Sequence, residues 1–255
     1  MTSNPSSPRI RGILLDIEGT TTPIAFVHEV LFPYALSEAR DYLEEHFGSA
    51  ELVEDVANLR EEHSADLKLN QQPPPLVDES RNTQIDSILA YVGWLIDRDR
   101  KSTGLKSLQG KIWKQGYLNG TLKAQVYPDV VPALERWHHD GLRIAIFSSG
   151  SALAQQLLFA HTEEGDLTRY IHRYFDTTLG PKTESGSYRQ IAAALGLLAS
   201  EVLFISDVVT ELAAANAAGM QTLLSIRPGN HPQALAERYQ SIKSFSELGE
   251  YGNDN

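Results

Sequence analysis

Short apolar runs alternate with helix-period segments in the C-terminal half of the chain. Apolar residues dominate positions 142–147 and 202–205, as in strands that are buried on both faces of a sheet, and positions 221–226 predict a last strand. The residues before and between these runs have helical patterns, at positions 132–139, 151–161, 187–195 and 211–218. Strands and helices that alternate at this spacing form right-handed βαβ units, so the pattern predicts a parallel sheet.

The N-terminal half begins with one more apolar run and then becomes helical. Residues 13–17 predict the first strand of the sheet. Residues 26–32 and 34–47 have helical patterns, and Pro33 predicts a break between them. Within residues 85–96, apolar side chains recur at the spacing of one helix face.

This order of elements predicts an α/β fold with an insertion. The helical stretch between the first strand and the others is roughly 100 residues long, which is the size of a small domain. We therefore expect a doubly wound parallel-sheet core formed by residues 1–19 and 127–255. A helical cap domain, residues 20–126, is inserted after the first strand of that core.

Composition excludes several classes of function. The 255 residues include 33 acidic and 22 basic ones, with a formal net charge of −11, so the chain lacks the basic surface of a general nucleic-acid binder. Cysteine is absent, which excludes thiol catalysis and thiolate metal sites. The longest uncharged stretch, residues 144–162, is rich in Ser, Gln and Gly and predicts no membrane span. No signal peptide is visible, so we expect a cytoplasmic protein, with a nuclear pool if the source is eukaryotic. We also expect the protein to be a monomer.

Polar and charged side chains follow the predicted strands where each strand ends. Because the carboxyl ends of parallel strands meet at one edge of a sheet, residues that follow them converge on that edge. Each such residue alone has an ordinary explanation as a turn former, a helix cap or a solvated side chain. The candidate site is the ordered set Asp16, Glu18, Ser148, Ser149, Lys182 and Asp207.

The chemistry of this set favours phosphoryl transfer. Asp16, Glu18 and Asp207 repel one another unless they are protonated or bridged by a cation. Oxygen ligands without His or Cys favour a hard ion, and Mg²⁺ also binds phosphate oxygens. Lys182, the hydroxyl of Ser148 and the amides near residues 149–150 can bind an anion. The set predicts transfer of a phosphoryl group with Asp16 as the attacking residue.

The same residues resemble the four ordered motifs of the haloacid dehalogenase superfamily, which are matched by residues 16–20, 148–150, Lys182 and 206–207. Residues 16–24 more narrowly resemble the enolase-phosphatases of methionine salvage. The superfamily's ordinary phosphatases carry Asp where this chain has Glu18, which favours the narrower family. The likeness runs from about residue 10 to 248 and includes segments 32–34, 108–110, 157–159, 164–166, 175–177, 184–188, 227–230 and 244–248.

The resemblance implies a substrate, a cofactor and a role for each site residue. The substrate is the phosphorylated diketone 2,3-diketo-5-methylthiopentyl-1-phosphate, which is enolised and then dephosphorylated to the acireductone 1,2-dihydroxy-3-keto-5-methylthiopentene. Asp16 is the implied nucleophile and a ligand of Mg²⁺, together with Asp207. Glu18 is implied to contact the metal through its main-chain carbonyl, and its side chain is the candidate acid or base. Ser148, Ser149 and Lys182 are implied to bind substrate.

Two other functions compete with this interpretation. One is a phosphatase of the same superfamily that acts on another small phosphate ester without an enolase step. The other is a non-enzymatic, receiver-like module, which also combines acids, Mg²⁺, a hydroxyl and a lysine on a parallel sheet. The role of Glu211, one helical turn after Asp207, stays open: it either orients Lys182 or faces solvent.

Overall fold

The structure is a computed structural model that describes residues 9–249 except residues 99 and 101. The chain forms two compact units, one of Met1–Phe26 with Lys123–Asn255 and the other of Val27–Leu122. The residues before position 9, on which the expectation about a signal peptide rests, lie outside the described part of the chain.

The division between the units falls after Phe26 and Leu122, whereas the sequence predicted it after residues 19 and 126. Residues 20–22 are threonines with fully buried side chains, and their amides donate to the carbonyl of Ile17 at 2.9–3.2 Å. The amide of Tyr127 donates to the carbonyl of Thr21 at 3.0 Å. These contacts make residues 20–22 part of the sheet unit.

The unit Val27–Leu122 is helical, as the patterns predicted. Its helices are α1 (Phe32–His46), α2 (Ala50–Lys68), α3 (Arg81–Ile96) and α4 (Thr103–Leu118). Serine side chains cap three of them by accepting a backbone N–H of the first turn, at Ser49, Ser80 and Ser102. Among the described residues, no helix combines the length and the apolar character that crossing a bilayer requires.

The break predicted at Pro33 is wrong. A π-helical segment, Phe26–Leu31, runs directly into α1, and Pro33 is the second residue of that helix. Proline has no amide hydrogen to donate to a carbonyl of the preceding turn, and the segment before Pro33 departs from α-helical hydrogen bonding because it is π-helical. The sequence pattern does not distinguish this position from a helix break.

The other unit contains one parallel sheet in the order β3-β2-β1-β4-β5-β6. Its first strand pairs with the second on one side and with the fourth on the other, so the connections run outward from the centre in both directions. This topology confirms the predicted doubly wound α/β fold. The strands are β1 (Gly12–Leu15), β2 (Arg143–Phe147), β3 (Arg173–Phe175), β4 (Val202–Ser206), β5 (Gln221–Ser225) and β6 (Ser241–Ile242).

In the described part of this unit, four α-helices accompany the sheet and follow the predicted alternation. They are α5 (Val130–His139), α6 (Ala152–Ala160), α7 (Ser185–Ala194) and α8 (Val209–Ala217). The strand residues of β1 and β4 are fully buried, and Tyr188 of α7 packs tilted on Phe204 with ring centroids 5.1 Å apart. The carboxyl ends of β1, β2 and β4 therefore form a rigid edge at the centre of the sheet.

Candidate active site

Asp16 and Lys182 form a buried ion pair at the carboxyl edge of the sheet. Asp16 directly follows β1, and its amide donates to the carbonyl of Ile205 at 3.0 Å. The Nζ of Lys182 lies 2.6 Å from Oδ1 of Asp16, and each side chain is only 8% exposed. The hydroxyl of Tyr188 donates to the carbonyl of Lys182 at 2.7 Å and fixes the loop that carries the lysine.

Glu211 holds the same lysine from the other side. Its Oε2 lies 2.7 Å from Nζ of Lys182. The hydroxyl of Ser206 donates to Glu211 Oε2 at 3.1 Å and to Asp16 Oδ2 at 3.4 Å. Of the two roles left open for Glu211, the structure therefore supports orientation of Lys182 and not exposure to solvent.

The charges of this cluster depend on one another. Burial alone lowers the pKa of Lys182, but the carboxylates of Asp16 and Glu211 outweigh it and raise the pKa above its ordinary value. Burial and the nearby charge of Asp16 raise the pKa of Glu211 to about 7. The lysine therefore stays protonated between two acids.

Asp207 follows β4 and packs against the backbone of Gly19. A Cβ atom added to Gly19 would lie 2.5 Å from Oδ2 of Asp207, and the φ angle of Gly19 is 67°. Both observations require glycine at this position. Burial, followed by the charge of Asp16, raises the pKa of Asp207 to about 7. The carboxylate is thus held near the loop that carries Glu18.

Glu18 is the exposed member of the predicted set. The loop after it is held by polar groups at the end of β5 and directly after it. The hydroxyl of Ser225 and the Nδ2 of Asn230 both donate to the carbonyl of Gly19, at 3.1 and 2.9 Å. Arg227 donates through Nε to the carbonyl of Thr20 at 3.2 Å.

Residues 225, 227 and 230 are absent from the site predicted from sequence. A signal existed for Arg227 and Asn230, because they follow the predicted strand at 221–226, whereas Ser225 lies within it. Their partners, however, are main-chain carbonyls, whose positions no side-chain pattern shows. They contribute to the site by fixing the backbone after Glu18.

Ser148 and Ser149 follow β2, the strand paired beside β1. Ser148 is buried; its amide donates to the carbonyl of Phe175 and its hydroxyl accepts from the amide of Gly150, both at 3.2 Å. The ordinary explanation of these serines as helix caps does not hold, because Ser151 caps α6 by accepting from the amide of Ala154. Ser148 and Ser149 therefore belong to the turn at the sheet edge.

Comparisons with known proteins agree with this geometry. A family model described as "haloacid dehalogenase-like hydrolase" matches residues 10–219. A protein of Synechococcus elongatus named enolase-phosphatase E1 is 50% identical to this chain, over 94% of the chain and 98% of the relative. The chain belongs to the enolase-phosphatase E1 family of haloacid dehalogenase-like hydrolases. The resemblance identified from the motifs is thereby confirmed.

Two further proteins are similar to this chain over most of its length. A protein of Arabidopsis thaliana, named as a probable bifunctional methylthioribulose-1-phosphate dehydratase/enolase-phosphatase E1, is 46% identical over 93% of this chain and 48% of the relative. The crystal structure of the UTR4 protein of Saccharomyces cerevisiae superposes with a TM-score of 0.73 at 36% identity. That alignment covers 94% of this chain and all of the yeast chain.

The residues of this hydrolase fit a hard divalent cation. In the described part of the chain, no group of three or more His, Cys, Asp or Glu side chains is arranged to hold a metal. Asp16 and Asp207 supply two buried carboxylates. The charge of Asp16 raises the pKa of Asp207 because the two carboxylates repel each other, and a cation between them would relieve this repulsion. Mg²⁺ is typically bound by one or two carboxylates, with waters and phosphate oxygens completing its shell. The donor set therefore fits Mg²⁺ without a third acidic side chain.

Proposed function

We propose that this protein is an Mg²⁺-dependent enolase-phosphatase that enolises and dephosphorylates 2,3-diketo-5-methylthiopentyl-1-phosphate to the acireductone. The observation that carries the proposal is the buried contact of 2.6 Å between Lys182 Nζ and Asp16 Oδ1. A nucleophilic carboxylate beside a fixed ammonium group at the carboxyl edge of a parallel sheet is suited to attack on a phosphate ester. The names of the relatives support the same activity.

The reaction named for the bifunctional plant relative would supply this substrate. That protein's name joins a methylthioribulose-1-phosphate dehydratase to an enolase-phosphatase in one chain. Loss of water from the diol of a ketose phosphate, next to its carbonyl group, leaves a diketone that retains the phosphate ester. A dehydratase of this kind would therefore produce the phosphorylated diketone on which the present chain is proposed to act.

The proposed dephosphorylation proceeds in two balanced steps. An oxygen of Asp16 attacks phosphorus while the bond from phosphorus to the substrate oxygen breaks, and the leaving oxygen takes a proton from Glu18 as the candidate acid. Water then gives a proton to Glu18 and attacks phosphorus of the acyl phosphate, so the bond from phosphorus to the Asp16 oxygen breaks, inorganic phosphate leaves, and the carboxylate of Asp16 and the acid form of Glu18 are restored. Ser148, Ser149 and Lys182 bind the phosphate group through donors and positive charge.

Asp16, Asp207 and the main-chain carbonyl of Glu18 would hold Mg²⁺ in this scheme. When bound, the ion supplies charge neutralisation for the transferring group and for the enediolate formed on enolisation. The protein contributes the rigid arrangement: Glu211 and Ser206 fix Lys182 and Asp16, and Gly19 leaves room for the carboxylate of Asp207.

The proposal is tested by incubating the protein with the diketone phosphate and Mg²⁺ while ultraviolet absorbance and inorganic phosphate are followed together. We expect an absorbance change from the enediol and many equivalents of phosphate for each chain. Brisk release of phosphate from sugar phosphates but not from the diketone would instead identify a phosphatase without an enolase step. A single equivalent of retained phosphate would identify a receiver-like module.

Replacement of Lys182 by methionine is expected to lower kcat/KM for phosphate release by about 10²–10³-fold, as for loss of one charge-stabilising donor. The variant keeps the length of the side chain but leaves Asp16 and Glu211 without their shared cation. Initial rates over a range of substrate concentrations measure the effect. Lys123→Met, at an exposed lysine, is the matched control. An unchanged kcat/KM in Lys182→Met would remove the lysine from the site.

A further inference from the structure

The side-chain amide of Asn230 has a fixed orientation. Its Nδ2 donates to the carbonyl of Gly19 at 2.9 Å and to the carbonyl of Ser225 at 3.2 Å. Both partners are carbonyl oxygens, which accept hydrogen bonds and cannot donate them. The NH₂ group must therefore face these two carbonyls, and the opposite orientation of the amide is excluded.

This orientation leaves Oδ1 of Asn230 buried and, among the described residues, without a hydrogen-bond partner. The position of that oxygen is informative. A Cβ added to Gly19 would lie 2.7 Å from Asn230 Oδ1 and 2.5 Å from Asp207 Oδ2. Both oxygens therefore border the same point, and the distance between them is at most the sum of these two values. Buried acceptors are normally satisfied, by protein groups or by ordered water.

A water molecule is the donor that this geometry suits. When Asp207 is ionised, as binding of a cation requires, its oxygens and the amide oxygen of Asn230 only accept hydrogen bonds, so neither satisfies the other, whereas a water can donate to Asn230 Oδ1. Asp207 is also a proposed ligand of Mg²⁺, an ion that keeps several of its waters when it binds to proteins. A water bound to that ion beside Asp207 would be polarised by its charge and would be a strong donor.

We propose that Asn230 is a positioning residue of the metal site. Its Oδ1 accepts a hydrogen bond from a water bound to Mg²⁺ next to Asp207. Its Nδ2 holds the carbonyl of Gly19 and so fixes the backbone directly after Glu18. This inference rests on the proposed function, because it requires Mg²⁺ at Asp16 and Asp207. Groups that orient the ligands of a metal in this way commonly affect its affinity 10–100-fold on mutation.

The test measures the dissociation constant of Mg²⁺ by isothermal titration calorimetry on the full chain, without substrate. Asn230→Ala and the volume-matched Asn230→Leu are both expected to bind Mg²⁺ about 10–100-fold more weakly than the wild type. Ser225→Ala removes the other side-chain hydrogen bond to the Gly19 carbonyl but leaves Oδ1 of Asn230 in place, so it is expected to lose less affinity for Mg²⁺ than the Asn230 variants. The control is Asn82→Ala, the same substitution at an exposed asparagine of α3, which is expected to keep the wild-type affinity.

The outcomes separate this inference from the proposed function. Wild-type affinity in a folded Asn230 variant, or an equal loss in Ser225→Ala, would overturn the role of Oδ1. Circular dichroism shows whether Asn230→Ala and Asn230→Leu are folded, and the Mg²⁺ affinity of one folded variant is sufficient to test the role of Oδ1. If the wild type bound no Mg²⁺, or if Asp207→Asn bound it as tightly as the wild type, the proposed metal site itself would be wrong.

Discussion

The variant Asp16→Asn is expected to lose about 10⁴–10⁶-fold in kcat for phosphate release, the range over which removal of one member of a catalytic triad lowers kcat. An amide cannot form the acyl phosphate, and it is a poorer ligand for a cation. The substitution keeps the volume of the side chain and removes a charge that raises the pKa of Asp207 and Glu211. We therefore expect a folded protein whose thermal unfolding midpoint equals or exceeds that of the wild type.

Phosphate release and thermal unfolding are to be measured on the same preparation of Asp16→Asn. The exposed Asp41, on α1, offers a matched control, since Asp41→Asn makes the same chemical change away from the cluster. Turnover of Asp16→Asn within tenfold of the wild type would contradict the aspartyl-phosphate scheme. A loss of activity accompanied by a loss of helical and sheet signal would show that Asp16 serves folding instead.

Removal of divalent metal is expected to abolish phosphate release by the wild type. Asp16 and Asp207 are buried and their repulsion already raises the pKa of Asp207, so a phosphate dianion would add a third negative centre to the same edge. Dialysis against EDTA followed by titration with Mg²⁺ measures the effect. We expect background rates after dialysis and recovery of the original rate as Mg²⁺ is added back.

EDTA that has been saturated with Mg²⁺ beforehand is the control for effects of the chelator itself. This control should leave the rate unchanged. Full activity in an excess of free chelator would mean that Lys182 and the serines neutralise the phosphate without a metal. The proposed roles of Asp16 and Asp207 as ligands would then be withdrawn.

The parts of the fold that sequence patterns predicted are those with long, uniform signals. Strands β1, β2 and β4 each contain four or five residues that are mostly apolar, and β5 contains five with two adjacent leucines. Strands β3 and β6 contain three and two residues, each begins with an exposed residue, and they are too short to show a period. Strands β3 and β6 form by pairing with β2 and β5, so their own short sequences do not predict them.

The candidate site could be predicted to the extent that its members follow strands. That rule places Asp16 and Asp207 at one edge. Lys182 follows no predicted strand and was included because it precedes a predicted helix, and its ion pair with Asp16 places it at the same edge. The rule does not decide the role of Glu211, because one turn of helix allows either a buried or an exposed direction. The bonds from Ser225 and Asn230 to the Gly19 carbonyl depend on tertiary packing, so no local pattern reports them.

The position of β1 between β2 and β4 has a consequence for how the protein is made. The ribosome delivers β1 first, but the two strands that flank it emerge only after Leu122, once the whole helical unit has been synthesised. Asp16 and Lys182 are 166 positions apart in the chain. Contacts this distant in sequence form late, because a long loop must close first. A nascent chain that stops short of β4 thus carries Asp16 without the lysine and carboxylates that surround it, so the site is assembled only after β4 and α8 have been synthesised.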